Sequence, residues 1–127
     1  MKVERLERHF GVKLASGVGC GPGVLINVNS SGEGVLANDS NSIYAHGVAL
    51  TSGSGTKVPG ISQYVALYRN AQVTDFGATT FTPGETVYMA NGGLMTGTAP
   101  GTINQKIGFA LNASTVFVDL DSSNLPA

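Results

Sequence analysis

What constrains this sequence most is its punctuation. From Val24 onward every apolar stretch is short, continuous or alternating with period two, and is soon interrupted by Gly, Pro, Asn, Ser or Thr. The runs fall at 24–28, 43–50, 64–68 with an extension toward 73, 86–90, 94–96, 107–111 and 116–120. Asn91-Gly92-Gly93 between YMA and LMT reads as a tight hairpin turn, because Asn and Gly accept the positive φ such turns need. Thr82-Pro83-Gly84 and Ala99-Pro100-Gly101 carry Pro-Gly turn chemistry. No helical period recurs in this stretch. Strands so short and so regularly spaced predict an all-β domain over residues 24–127, a small antiparallel β-barrel or β-tulip-like sandwich. Alternation assigns Val48, Leu50, Val65, Leu67, Val87, Ile107, Phe109, Leu111, Val116 and Val118 to its interior. Gly47-Val48-Ala49-Leu50 and Gly108-Phe109-Ala110-Leu111 echo one another, which raises the possibility of two related lobes.

Residues 1–23 form a separate unit in this reading, a short N-terminal arm followed by a glycine-rich hinge. MKVERLERHF spaces Val3, Leu6 and Phe10 as one face of a helix, and Glu4 and Arg8 are an i,i+4 pair. A helix over residues 1–10 is therefore expected, marginal in water unless it docks. Lys2, Arg5, Arg8 and Lys13 put four of the seven Lys and Arg residues in this arm, leaving an acidic body. The plainest role for those charges is a solvated helix face. GVGCGPG at 17–23 lacks the strand–GxGxxG–helix setting and the Gly-Lys-Ser/Thr of a phosphate loop, so it reads as a hinge.

Chemistry needs convergent titratable groups, and few are offered. His9 and His46 are isolated, Cys20 is the single cysteine, and no metal-ligand spacing, G-x-S-x-G elbow or carboxylate pair with flanking tryptophan is present. The expectation is a protein that is not an enzyme, with no catalytic residues, no cofactor and no metal. An acidic body without a basic stripe speaks against nucleic acid as a partner, and the lack of an 18-residue apolar run against a membrane span. Charged residues make up only 12% of the chain against about 25% in ordinary domains, so its weakly charged surface favours association into a homo-oligomer.

The stretch 81–120, FTPGETVYMANGGLMTGTAPGTINQKIGFALNASTVFVDL, resembles the C-terminal half of bacteriophage capsid decoration (head cement, or stabilising) proteins. Its order is a Pro-Gly-Glu turn, a TVYM strand, NGG, a short strand, a Thr/Ala-Pro-Gly loop, an IGFAL strand, a polar turn and a closing VFVDL strand. The preceding HGVALTSGSGTKVPGISQYVALYRNAQVTDFG is similar to the earlier strand-turn-strand unit of those proteins. The resemblance implies a small β-barrel or β-tulip assembled as a homotrimer on the outer surface of the virion head. Its partner would be the major capsid protein, whose capsomers it would clamp in the expanded shell. Within that picture the arm is the expected clamp, with Val3, Leu6 and Phe10 entering a capsid groove while Lys2, Arg5, Arg8 and Lys13 meet acidic residues. The alternative is a phage tail or fibre adhesin module binding a host surface glycan, with Tyr44, Tyr64, Tyr68 and Tyr88 as stacking candidates. A small β-barrel hydrolase using His46 is the third possibility.

Overall fold

The computed structural model describes residues 2–5 and 9–121. In chain order the strands are β1 (Lys2–Arg5), β2 (His9–Leu14), β3 (Gly19–Cys20), β4 (Leu25–Val28), β5 (Glu33–Leu36), β6 (Gly47–Ala49), β7 (Gly53–Ser54), β8 (Tyr64–Tyr68), β9 (Asn70–Thr74), β10 (Thr86–Met89), β11 (Met95–Thr96), β12 (Lys106–Asn112) and β13 (Thr115–Asp119). The one helical turn among the described residues is the 3-10 segment Asn91–Gly93. The protein is all-β, as expected, and it is built as two sheets. β2, β5, β4, β6 and β8 close into a five-stranded barrel, and β1, β9, β13, β12, β10 and β11 form an open six-stranded sheet in that order. A two-stranded ribbon of β3 and β7 is hydrogen-bonded to neither, and it packs against the barrel core through Cys20 and Gly53. Every pairing is antiparallel except that of β2 with β5, where the chain returns through the β4–β5 hairpin in the direction it first took.

The first fourteen residues correct the sequence reading. The expected helix over 1–10 does not form: β1 pairs with β9 from Lys2↔Thr74 to Arg5↔Ala71, and β2 pairs with β8 from His9↔Tyr68 to Lys13↔Tyr64. β8 and β9 are separated only by Arg69, so β2 and β1 line up in turn along the continuous segment 64–74, one in the barrel and one in the open sheet. The physical reason is visible in HFGVKL. Phe10, Val12 and Leu14 alternate, with Val12 and Leu14 buried and Phe10 packed against the same barrel interior. As a strand, β2 pairs with β8 from His9 to Lys13 and with β5 through Lys13 and Leu14, long-range pairing that an isolated ten-residue helix could not match. The barrel therefore begins before residue 24.

Two cores follow from the two sheets. Val12, Leu14, Ile26, Ala49, Val65 and Leu67 fill the barrel. A larger cluster, including Leu25, Val48, Val73, Val87, Met89, Ile107, Val116 and Val118, lies between the barrel wall and the open sheet. Adjacent residues on one strand serve different cores: Leu25 faces the shared layer and Ile26 the barrel, and Val48 and Ala49 divide the same way. All four are fully buried, so β4 and β6 are apolar on both faces and read as continuous rather than alternating. The hairpin turn between β10 and β11 is pinned to this wall, with the Gly93 N–H donating to the Ala37 carbonyl at 2.7 Å. A Cβ on Gly93 would stand 2.6 Å from the Leu25 carbonyl oxygen, so only glycine lets the turn approach so closely.

Of the ten residues assigned to the interior, Val48, Val65, Leu67, Val87, Ile107, Val116 and Val118 are buried and Leu50 is half-buried. Phe109 and Leu111 are not: they are 43% and 42% exposed. Two irregularities break the alternation on β12. Against β10 the register steps from Val87↔Gly108 to Tyr88↔Lys106, and against β13 it steps from Ala110↔Val116 to Asn112↔Thr115. Each leaves one extra residue on β12, and the first of them sets the inward positions Ile107 and Ala110 three apart. At Gly108 a Cβ would collide with the Phe117 carbonyl, which fixes glycine at the first bulge. Gly47 and Gly108 are both crowded, yet the residues after them take opposite environments, Val48 inside and Phe109 outside.

Candidate binding surfaces

The titratable groups that the fold gathers serve as struts. Arg69, between β8 and β9, donates to the His46 carbonyl (2.9 Å), the Leu120 carbonyl (3.2 Å) and Asp121 Oδ1 (2.8 Å). Asp121 Oδ2 also accepts from the Asn70 amide at 3.1 Å. Thus one guanidinium ties the start of β6 to the end of β13 at the junction of the two sheets. His46 Nδ1 accepts the Val28 N–H at 2.9 Å, which puts the ring proton of the neutral form on Nε2. Burial, with the Arg69 charge adding to it, holds the His46 pKa below its ordinary value. Cys20 is half-buried with Sγ 3.9 Å from the Thr51 carbonyl. Burial pushes its thiol pKa up, against a smaller opposing effect of the Gly53 backbone, which favours an unreactive thiol.

Asp39 is the most constrained carboxylate and was not singled out in the sequence. It is 2% exposed, and it accepts the backbone N–H groups of Thr102 (3.0 Å), Ile103 (2.9 Å) and Asn104 (3.0 Å). Burial alone would raise its pKa, but these donors together outweigh burial and hold it below the ordinary carboxylate value. The second Pro-Gly turn, at Pro100-Gly101, is thereby anchored to the loop after β5. Buried Gln105 makes a parallel link: its amide accepts from the Ala45 N–H at 2.7 Å and donates to the Ala45 carbonyl at 3.1 Å. A cleft of about 560 Å³ opens beside Asp39, lined by Ser40, Asn91, Thr96, Thr98 and Pro100. Another of about 450 Å³ is lined by Asp75, Phe76, Thr79 and Ser114. Among the described residues no group of three or more His, Cys, Asp or Glu is placed to hold a metal ion.

The residues expected to clamp a capsid are distributed differently from the reading of a free arm. Lys2, Val3 and Arg5 lie on β1, and Phe10 and Lys13 on β2, while Leu6 and Arg8 fall outside the described residues. Val3 packs against the core between the sheets and Phe10 against the barrel core. Both are half-buried, so part of each apolar anchor is already committed to the fold. The tyrosines do not gather on one element either: Tyr44 precedes β6, Tyr64 and Tyr68 are on β8, and Tyr88 is on β10.

Exposed apolar side chains mark two other surfaces. One is the loop between β7 and β8, where Val58-Pro59-Gly60-Ile61 makes a turn closed by the Ile61 N–H to the Val58 carbonyl at 3.1 Å. Val58 and Ile61 are each 40% exposed at its tip, and Tyr64, at the start of β8, is 62% exposed. The other is the outer face of the open sheet, where Phe109 and Leu111 emerge. Phe109 sits opposite Phe117 with ring centroids 5.7 Å apart and ring planes tilted by 58°. Comparison with known proteins finds no family model that matches this chain, and no matching curated protein or solved structure.

Proposed function

We propose that this chain is a bacteriophage head decoration protein, a homo-oligomer that binds the major capsid protein on the outside of the expanded shell and reinforces contacts between capsomers. The reading rests on the resemblance of residues 81–120 to that family. The observation that carries it in the structure is the Val58–Ile61 tip, a convex turn with its apolar side chains facing solvent. Large apolar groups held outward on a short, hydrogen-bonded turn cost little further order when they enter a partner's groove. This loop takes the place of the N-terminal arm as the capsid contact. Each such contact is small, and repetition around a symmetric shell turns weak single sites into lasting attachment.

The test is binding to emptied, expanded heads of the phage that encodes the chain. Saturable decoration, seen as added density at threefold positions in electron cryomicroscopy, is the expected result. A Val58→Ser, Ile61→Ser variant should leave heads about tenfold faster, since each change removes an apolar anchor at the contact. Absence of saturable binding by the unmodified protein overturns the reading. Binding to host cells in place of heads would favour the adhesin alternative.

A further inference from the structure

The β1–β9–β13–β12–β10–β11 sheet has one face against the barrel wall and one face outward. A solvated outer face of an antiparallel sheet ordinarily carries polar side chains. Here the register sets Gln72, Phe117, Phe109 and Thr86 side by side across four strands, with Glu4 beyond them on the edge strand. Leu111, the extra residue of the second irregularity, adds a third large apolar group beside Phe109. The first bulge shifts the alternation that places Phe109 and Leu111 outward, so the patch is produced by the backbone and not by a stray surface residue. Bulges that re-aim side chains in this way are a recurrent device at functional surfaces.

We infer that this face is where copies of this chain meet one another around a rotation axis, with Phe109 and Phe117 nearest the axis. This goes beyond the decoration reading, on which only the order of the axis and its completion on a shell rest. Two observations select a second copy as the occupant. Residues at a rotation axis are brought up against their own copies, so any charge there faces its like. The row through the centre, from Gln72 to Thr86, carries no charge, while Lys106 and Asp119 lie toward one end of the same strands. The second observation is size. Four strands of about five residues, at roughly 4.8 Å by 3.3 Å per residue, offer about 300 Å². A stable two-body interface needs about 800 Å² from each partner. A contact this small suits reversible association between copies, completed when a shell holds them together. It does not suit a permanent complex with an unrelated protein.

Sedimentation velocity of the full chain over a concentration series, without heads, tests this directly. The expected result is a closed oligomer that dissociates on dilution. In the Phe109→Ser, Phe117→Ser variant, association should weaken about tenfold or more. Because Phe117 is half-buried, Phe109→Lys serves as a second variant. It should be monomeric at low salt, with partial recovery as salt screens the like charges, and its melting temperature should match the unmodified protein. A trimer or a dimer lost in both variants supports the inference, and a dimer would count only against the threefold placement on heads. A chain that stays monomeric throughout, or variants that associate like the unmodified protein, overturns it and leaves head binding untouched.

Discussion

The closed barrel and the open sheet are built from the same kinds of strand, yet they handle their surfaces in opposite ways. In the barrel, β4 and β6 are apolar on both faces because they are walls shared by two cores, and β2 and β8 leave no edge. The open sheet keeps two edges, β1 and β11, and shows aromatic side chains on its outer face. Closure leaves the barrel without a free edge, and openness leaves the sheet with two edges and an outward face. The difference rests on irregularity as much as on composition: without the first bulge on β12, Phe109 and Leu111 would occupy other positions relative to the core.

The sharpest way to break this comparison is to open the barrel. Deleting residues 2–13 removes β1 and most of β2, including Val12 and Phe10, and uncovers an edge of β8 and of β5. Loss of cooperative folding in a far-UV circular dichroism melt is expected, and a variant that still melts like the full chain would show that β2 is dispensable. Next comes the barrel core itself. Leu67→Ala should destabilise by about 3 kcal/mol, as for a fully buried leucine, measured by urea denaturation. Asp39→Asn, at the loop that reaches from the barrel to the 102–104 backbone, should cost about 2 kcal/mol at neutral pH through weakened charge-assisted hydrogen bonds. Smallest of all, Phe109→Ala on the outer face should cost less than about 1 kcal/mol, because much of the ring already meets water.

Acid separates the two struts further. Asp39 has its pKa lowered by folding, so its contribution is complete above the ordinary value of 3.8 and is lost as pH falls through the lower, folded value. His46 is also lowered, from 6.5, because the folded environment disfavours its charged form. Its contribution is present above pH 6.5 and declines as acid forces a proton onto the ring. Melting temperature should therefore fall in two stages on acidification. Asp39→Asn should remove the lower stage and His46→Gln the upper one. A profile unchanged by both substitutions would detach pH sensitivity from these struts.

Much of the fold was legible because β4, β8, β9, β10, β12 and β13 alternate or run apolar between turns. The β10–β11 hairpin and the Thr82-Pro83-Gly84 turn, closed by the Glu85 N–H to the Thr82 carbonyl at 3.0 Å, form where their turn residues indicate. The first strands were misread because Val3, Leu6 and Phe10 fit a helical spacing, although Phe10, Val12 and Leu14 already carried the period of a strand. β5 is four residues with a glycine inside, too short for a pattern to emerge. Phe109 and Leu111 were placed inside because counting by twos passes silently through a bulge. Asp39 gave no signal at all, since its partners are backbone N–H groups and any sequence could supply them.

The pairing of β2 with β8 also sets an order of events during synthesis. β2 leaves the ribosome well before its partner β8, which ends at Tyr68, so the barrel cannot close until Tyr68 has been made. During that interval Phe10, Val12 and Leu14 travel as an unmatched apolar strand. Joining partners so distant in sequence carries a loop-closure cost before any contact repays it, which slows folding. The β4–β5 and β4–β6 pairs can form first; the barrel itself must wait for β8.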